Sequence, residues 1–464
     1  MTAIYAARWV LPVISSGIDS GAVAVEGTQI AAVGRANEIT SRFPEARVID
    51  FGNAVILPGL VNSHSHLELT VMRGFLEREE HDFFAWLRKL TGARLAMTTE
   101  DLFVSAMCGA IEAARAGITC TGDSSSAASQ AMKALREIGL RGVVYQESFG
   151  PDPKLAHENV SKLRDQLAQS RQLESDLVRA GVSPHAPYTV SARQLELISR
   201  LAHEEKLPVM MHAAESASEK ALLLDGTGAF ADGLRDRGIE WKAPGISTVQ
   251  YLARHGILET RPLLAHCINV DAGDIELIKQ AGGGVAHCPK SNAKLGHGCA
   301  PFGEFVVADL KVGLGSDSVA SNNNCDLVEE ARFATLMARV DRGSGIDFSL
   351  CNETESQTKV YATQTLHAAT LGGARALGLD DQIGALAEGM QADLIAIGLD
   401  GAHQQPVYDP TDTLIYSSSG RDVKLTMVAG KEIYRDGRVA SADEEGLRAK
   451  LNQVRTKLDS LAKA

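Results

Sequence analysis

Apolar positions along the chain follow two rhythms. Between about Pro58 and Asp380, strand-length runs alternate with stretches whose apolar residues recur every three to four positions, the helical period. The helical stretches cover 100–116, 153–168, 192–205 and 274–281, and the strand-like runs cover 55–61, 118–122, 142–147, 180–183, 208–212, 262–266, 283–287 and 311–315. Strands alternating with helices predict a parallel sheet, and eight such runs predict an α/β fold of the (β/α)8 TIM-type barrel. Outside this stretch the texture is different. Short β-like pieces separated by Gly turns occupy 21–25 and 29–34, and similar pieces return at 392–397 and 423–428. Both chain ends are therefore expected to build one small β-sandwich. The expected organisation is 1–57 plus 384–440 as the β-domain, 58–383 as the barrel and 441–464 as a C-terminal helix. No internal repeat or low-complexity linker divides the chain.

The polar residues fall where a barrel enzyme collects its chemistry, at the C-terminal ends of strands. His64 and His66 follow the first run, His185 the fourth, His212 ends the fifth, His266 the sixth, His287 the seventh, and Asp317 follows the eighth. Two His at i and i+2 leaving a strand project to one side and can grip one ion. Alone, such a pair is better explained by hydrogen bonds to nearby backbone. Joined to His212 and Asp317 at two other strand ends, the pair reads as half of a four-ligand metal site. An acid placed as Asp317 is would be costly to bury without a cation, although a turn or N-cap role is the plainer alternative. Glu215, three residues after His212, puts a carboxylate near the ion yet free to move protons; helix capping is its alternative.

Other signatures fail. His66-Leu67-Glu68 matches half of the cytidine-type zinc deaminase motif, but the P-C-x-x-C half is absent. His157-Glu158 and His203-Glu204 lack the second His of H-E-x-x-H, and neither a G-x-S-x-G elbow nor a Walker A loop occurs. His81, His157, His203, His255, His367 and His403 have no chemical companions in sequence and read as ordinary packed or surface residues.

Composition narrows the function classes. With 464 residues, 45% hydrophobic and 22% charged, the chain can bury a large core. A formal net charge of −12 without a cationic cluster argues against DNA or RNA as a partner. The most basic stretch, Arg448 to Lys463, spaces its cations as a solvated helix face does. Cysteines 108, 120, 267, 288, 299, 325 and 351 form no C-x-x-C pair, so a reducing, cytoplasmic home is expected. The first residues show no clean export h-region, and nowhere do 18 uncharged apolar residues run together, so no membrane span is expected.

The segment Leu57-Pro58-Gly59-Leu60-Val61-Asn62-Ser63-His64-Ser65-His66, with the later H-A-A-E, A-H-C, A-H-C-P-K-S-N and G-S-D-S segments, resembles the amidohydrolase superfamily over nearly the whole chain. Within it, the chain is similar to the cytosine, guanine and adenosine-type deaminases and the triazine hydrolases. The resemblance implies one divalent ion, Zn²⁺ or alternatively Fe²⁺, on His64, His66, His212 and Asp317, with Ser183-Pro184-His185 where two-metal relatives have a carboxylated lysine. It implies Glu215 as proton shuttle, His266 and Asp317 as catalytic groups holding the attacking water, and His185 and Trp86 as substrate contacts. His287 and His297 flank Ser291-Asn292, which borders the pocket in the family, and His297 is carried as a further contact.

Leu67-Glu68-Leu69 and Phe83-Phe84-Ala85-Trp86-Leu87 resemble the aminodeoxyfutalosine deaminases and add Glu68 to the contacts. The expected reaction is hydrolytic deamination of a small molecule, a 6-aminopurine nucleoside of the aminodeoxyfutalosine, adenosine or S-adenosylhomocysteine type. Adenosine-type relatives carry an acid shortly after the aromatic, where this chain has Thr91-Gly92-Ala93-Arg94. A guanine or 8-oxoguanine-type base, an s-triazine, and a catalytically silent barrel that serves as a binding partner stay open. A homodimer is kept as a candidate assembly.

Overall fold

Gly59 marks the point where the chain passes from one sheet to another. The computed structural model describes residues 2–340 and 359–461; Cys351 and Lys463 lie outside the described residues. Five strands, β1 (Thr2–Val10), β2 (Ile18–Glu26), β3 (Gln29–Arg35), β4 (Arg47–Asp50) and β5 (Ala54–Pro58), come before Gly59. The run at 55–61 is thus two strands, with β6 (Leu60–Ser65) beginning a different sheet. A Cβ at Gly59 would lie 2.1 Å from Thr119 Oγ1, so the crossing needs a residue without one.

The later strands are parallel. β6, β7 (Ile118–Ser125), β8 (Arg141–Ser148) and β9 (Val178–Pro184) form one four-stranded sheet in that order. β10 (Met210–Ala213), β11 (Leu263–His266), β12 (Gly284–His287) and β13 (Lys311–Leu314) form a second. Single parallel bridges join Val182 to Val209 and Ser65 to Asp317, linking the outer strands of the two sheets at both sides. One buried apolar cluster draws on both sheets, with Val61, Cys120, Val143, Tyr145, Met210, Leu263, Ala265 and Ala286. Helices separate the strands, among them Thr99–Arg115, Ala156–Arg171, Ala192–Glu205 and Ala272–Ala281, close to the helical stretches read from sequence. Thr98 and Asp101 cap the first of these reciprocally, and Asp271 with Asp274 cap the last.

The chain ends meet in the other sheet. β14 (Leu394–Gly398) pairs antiparallel with β5 and leads to β15 (Val423–Val428), β16 (Lys431–Arg435) and β17 (Arg438–Val439), while β1 to β4 extend the other side. The C-terminal helix, Glu444–Leu461, is more than a solvated face. Its Val454 and Leu458 are buried beside Leu69, Met72 and Trp86, and Lys457 pairs with Asp101 at 2.7 Å. No helix among the described residues is long and apolar enough to cross a membrane.

A buried ion pair ties the antiparallel sheet to the parallel strands. Arg141, at the start of β8, makes two 3.0 Å bonds to Asp393, whose Oδ1 also accepts from Ala429 N. Both side chains are almost wholly enclosed, so removing one partner strands a charge in the interior. Asp393→Ala is expected to lower the unfolding free energy by about 3–5 kcal/mol. Replacing both residues with apolar ones of similar volume should recover most of that loss. Urea denaturation of the single and double variants checks both outcomes.

Candidate active site

His64, Ser65 and His66 leave the end of β6, and their loop is pinned from below. Asp123 on β7 accepts from Ser65 Oγ at 2.9 Å and from Leu67 N at 2.7 Å. Burial pushes the Asp123 carboxyl up to about 8. Gly313 on β13 lets this loop approach, since a Cβ there would lie 2.0 Å from Ser63 Oγ. His212 is on β10, and Asp317 follows β13 with φ of +56°. Ala214 and His266 also have positive φ, +53° and +73°. Such backbone costs about 1–3 kcal/mol per residue and persists where the surroundings impose it.

The four expected ligands come together. One donor atom from each of His64, His66, His212 and Asp317 lies within 4.8 Å of the others. His64 Nε2 is 3.3 Å and His66 Nε2 3.5 Å from Asp317 Oδ1, and the Nε2 atoms of His66 and His212 are 3.2 Å apart. The other ring nitrogens are committed elsewhere. His212 Nδ1 donates to the His185 carbonyl at 3.0 Å, and His64 Nδ1 faces Met210 Sδ at 3.1 Å. This fixes which nitrogen of His212 points inward.

Burial holds all three imidazoles below their ordinary value, His66 at about 4, so they are neutral donors at neutral pH. Burial would raise the Asp317 carboxyl, but the close approach of His64 and the neighbouring imidazoles hold it well below the usual carboxylate range. Ser291 Oγ (2.5 Å) and Ser321 Oγ (2.7 Å) both donate to Asp317 Oδ2. His64 Nε2 is buried without a hydrogen-bond partner. Three neutral imidazoles, one carboxylate and an orphaned buried nitrogen fit a divalent cation.

The expected proton-transfer groups stand beside the cluster. Glu215 Oε2 accepts from Tyr188 OH at 3.2 Å, and its Oε1 is 3.7 Å from His266 Nε2 and 3.8 Å from His297 Nε2. Glu219 clamps the loop after β10, accepting from Ala214 N, Glu215 N and Thr248 Oγ1. His266 Nδ1 donates to Asn292 Oδ1 at 2.8 Å, which leaves Nε2 facing Glu215. Burial would lower the His266 imidazole, yet Glu215, Asp317 and Asn292 together raise it.

A cavity of about 390 Å³ opens on these groups. Trp86 and His185 line it; Trp86 stacks on Phe83 with centroids 6.0 Å apart, and His185 Nδ1 is 2.9 Å from Thr189 Oγ1. Glu68 also reaches the wall, but its oxygens accept from Ser125 Oγ, Ser126 N, Ser126 Oγ and Ala127 N. These donors lie where the helix Ala128–Ile138 begins, a site that favours an anion. His297 packs edge-on to Phe83 at 4.4 Å. His287 instead stacks on Phe302 at 5.0 Å, and neither His287 nor His297 is among the residues that line the cavity.

Among the cavity residues that escaped the sequence reading, two stand beside the cluster, Glu147 and Tyr188. Glu147, at the end of β8, is buried with Oε1 3.8 Å from His66 Nδ1 and no hydrogen-bond partner for that oxygen. Burial, with Glu68 nearby, pushes its carboxyl up to about 8. The signal was present, since Glu147 closes the third strand-like run as His212 closes the fifth. Tyr188, which holds Glu215, sits in a loop after β9 and carries no periodic signal.

The chain matches the family model described as Amidohydrolase family over residues 55–433, and residues 21–46 match the bacterial imidazolonepropionase-like composite domain. It is 31% identical over 445 residues to the 5-methylthioadenosine/S-adenosylhomocysteine deaminase of Nitratidesulfovibrio vulgaris (strain Hildenborough), covering 95% of this chain and 92% of that one. A protein of the same name from Syntrophus aciditrophicus is 32% identical, over 92% of this chain and 90% of its own. Among solved structures, an adenosine deaminase from Xanthomonas campestris with bound zinc superposes with a TM-score of 0.85 at 28% identity, covering 99% and 98% of the two chains. Atrazine chlorohydrolase from Arthrobacter aurescens, complexed with zinc, shares the fold with a TM-score of 0.83 at 23% identity, over 98% and 100%.

Proposed function

Because the chain belongs to the amidohydrolase family, we propose that it is a zinc-dependent aminohydrolase that releases ammonia from an amino-substituted N-heterocycle, in first place a 6-aminopurine nucleoside. The reading is carried by one arrangement, the Glu215–His266 pair set against the four-donor cluster at one cavity. The relatives named as deaminases of adenosine-type nucleosides support the substrate class. We read the two parallel sheets and their linking bridges as one eight-stranded barrel at 58–383, and the nine-stranded sheet of 1–57 and 384–440, packed about Val23, Ile56, Leu394 and Met427, as a small β-sandwich.

His64, His66, His212 and Asp317 would hold the ion, which when bound supplies Lewis-acid activation of water at neutral pH. Asp317 takes a proton from the attacking water on its carboxylate, with Oδ2 steadied by Ser291 and Ser321. His266 orients that water through Nε2, because Nδ1 is occupied by Asn292. Glu215, entering the step protonated, gives its proton to the ring nitrogen from Oε1, then takes the proton of the new C–OH and passes it to the departing amine, and the proton left on Asp317 restores Glu215 for the next turnover. Tyr188 keeps Oε2 in place during both transfers. Trp86 and His185 border the ring, Glu68 completes the wall, and His297 stands behind it against Glu215 and Phe83. The protein acts as a soluble cytoplasmic enzyme on a small molecule.

Ammonia assays on the zinc-loaded protein with adenosine, 5′-thioadenosines, guanine, pterins and triazines test this reading. Release from a 6-aminopurine nucleoside at a kcat/KM above about 10⁴ M⁻¹s⁻¹ is expected. Stoichiometric zinc without turnover on any of these amines would remove the reading.

A further inference from the structure

We propose that the amine accepted by this cavity belongs to a molecule that also bears an anionic group, and that Arg94 receives that group. The inference rests on the aminohydrolase reading and names what the rest of the substrate carries. The helix Phe83–Ala96 lays Phe83, Trp86, Leu87, Leu90, Thr91 and Arg94 along the cavity. Those spacings put one stripe of the helix on the pocket, apolar for two turns and cationic at the third.

A train of rings connects the metal-type cluster to that cation. The His212 ring is 4.6 Å from His185, His185 is 4.7 Å from Phe149, and Arg94 Cζ lies 5.6 Å above Phe149. Exposure grows along the train, from 5% at His212 to 39% at Phe149. Arg94 therefore stands at the outer part of the cavity, facing whatever projects from a ring seated at the inner end.

Arg94 has no carboxylate within ion-pair distance among the described residues, whereas Arg115, Arg141 and Arg164 are all paired. The acids of the cavity wall are occupied elsewhere. Glu68 is saturated by the residues that precede the helix Ala128–Ile138, Glu147 faces His66, and Glu215 and Asp317 belong to the reacting end. Arg237, the second arginine of the wall, is likewise without an acid and uses Nε on the Gly233 carbonyl. A half-buried guanidinium stacked on an aromatic ring presents a flat fork suited to carboxylate or phosphate. Neutral sugar hydroxyls give no reason to place an unpaired cation there, in a chain of net charge −12.

Matched substrates test this. Adenosine-5′-carboxylate against adenosine-5′-carboxamide, and a 5′-thioadenosine ending in carboxylate against its amide, differ in charge with nearly equal size. Adenosine 5′-monophosphate against adenosine tests phosphate as the source of the anion. The wild-type protein is expected to favour the anionic member of at least one pair. Arg94→Gln should lower that preference ratio by about 10- to 100-fold, chiefly through KM, and Arg94→Lys should restore part of it. Zinc content and melting temperature of each variant separate this from misfolding. A ratio unchanged in Arg94→Gln, or equal slowing of both members as expected if Arg94 only balances Glu147, overturns the proposal while leaving the deaminase reading intact. Turnover of none of the amines overturns both.

Discussion

Glu215→Gln is expected to lower kcat by about 10³-fold while zinc content and melting temperature stay close to wild type. Glutamine keeps the shape and can still accept from Tyr188 at the Oε2 position, so packing is preserved. What it cannot do is gain and lose a proton. Among the described residues Glu215 is the acid that faces His266 Nε2, at 3.7 Å, and the groups nearest its Oε1 are the imidazoles of His266 and His297. A neighbour therefore cannot take over the transfer to the ring nitrogen. Tyr188→Phe removes only the hydroxyl that holds Oε2, and a smaller loss, about 10-fold, is expected because orientation and not the proton itself is affected. The two variants form a graded pair in an ammonia assay. Full activity in Glu215→Gln would show that another group moves the proton.

The four-residue cluster was legible in the sequence because the chemistry of its members and their fold rule coincide. His64, His66, His212 and Asp317 all end or follow apolar runs, and parallel strands present those ends at one face. Helix periods were equally plain, as at Ala192–Glu205, where the expected and observed ends agree. The strand change at Gly59 was not plain. An unbroken apolar run from 55 to 61 carries no sign of a switch between sheets, because β5 and β6 are both fully buried and the deciding contact, Gly59 with Thr119, is 60 positions away in sequence.

Pocket residues were harder, for a related reason. Glu68 is a substrate contact only through the resemblance of Leu67-Glu68-Leu69 to the aminodeoxyfutalosine deaminases, and only the folded chain brings Ser125, Ser126 and Ala127 to its oxygens. Arg94 looks like the mere lack of an acid after Trp86, and becomes informative once it is seen above Phe149 with no acid at ion-pair distance among the described residues. His287 and His297, equivalent in sequence, separate in space: one lies against Phe302, the other against Phe83 beside Glu215. Long-range packing, which no local pattern encodes, made each of these decisions.

Removing the ion is expected to have the largest effect of all. With Asp317 held ionised and three imidazoles held neutral, the cluster carries one negative charge in a buried space, and the His66 and His212 Nε2 atoms approach to 3.2 Å with His64 Nε2 unpartnered. A divalent cation relieves that crowding and satisfies the orphaned nitrogen at once, and it binds the folded chain far better than the unfolded one. Chelation should therefore reduce turnover to background and lower stability by about 4 kcal/mol relative to protein kept at zinc near a thousand times its Kd. His212→Ala should mimic chelation, since it deletes one donor and leaves the His185 carbonyl without its Nδ1 partner. Zinc analysis, calorimetry and ammonia release on the same samples must move together. Loss of activity in His212→Ala with zinc retained at one equivalent would mean that the ion sits elsewhere and that these four residues serve another purpose.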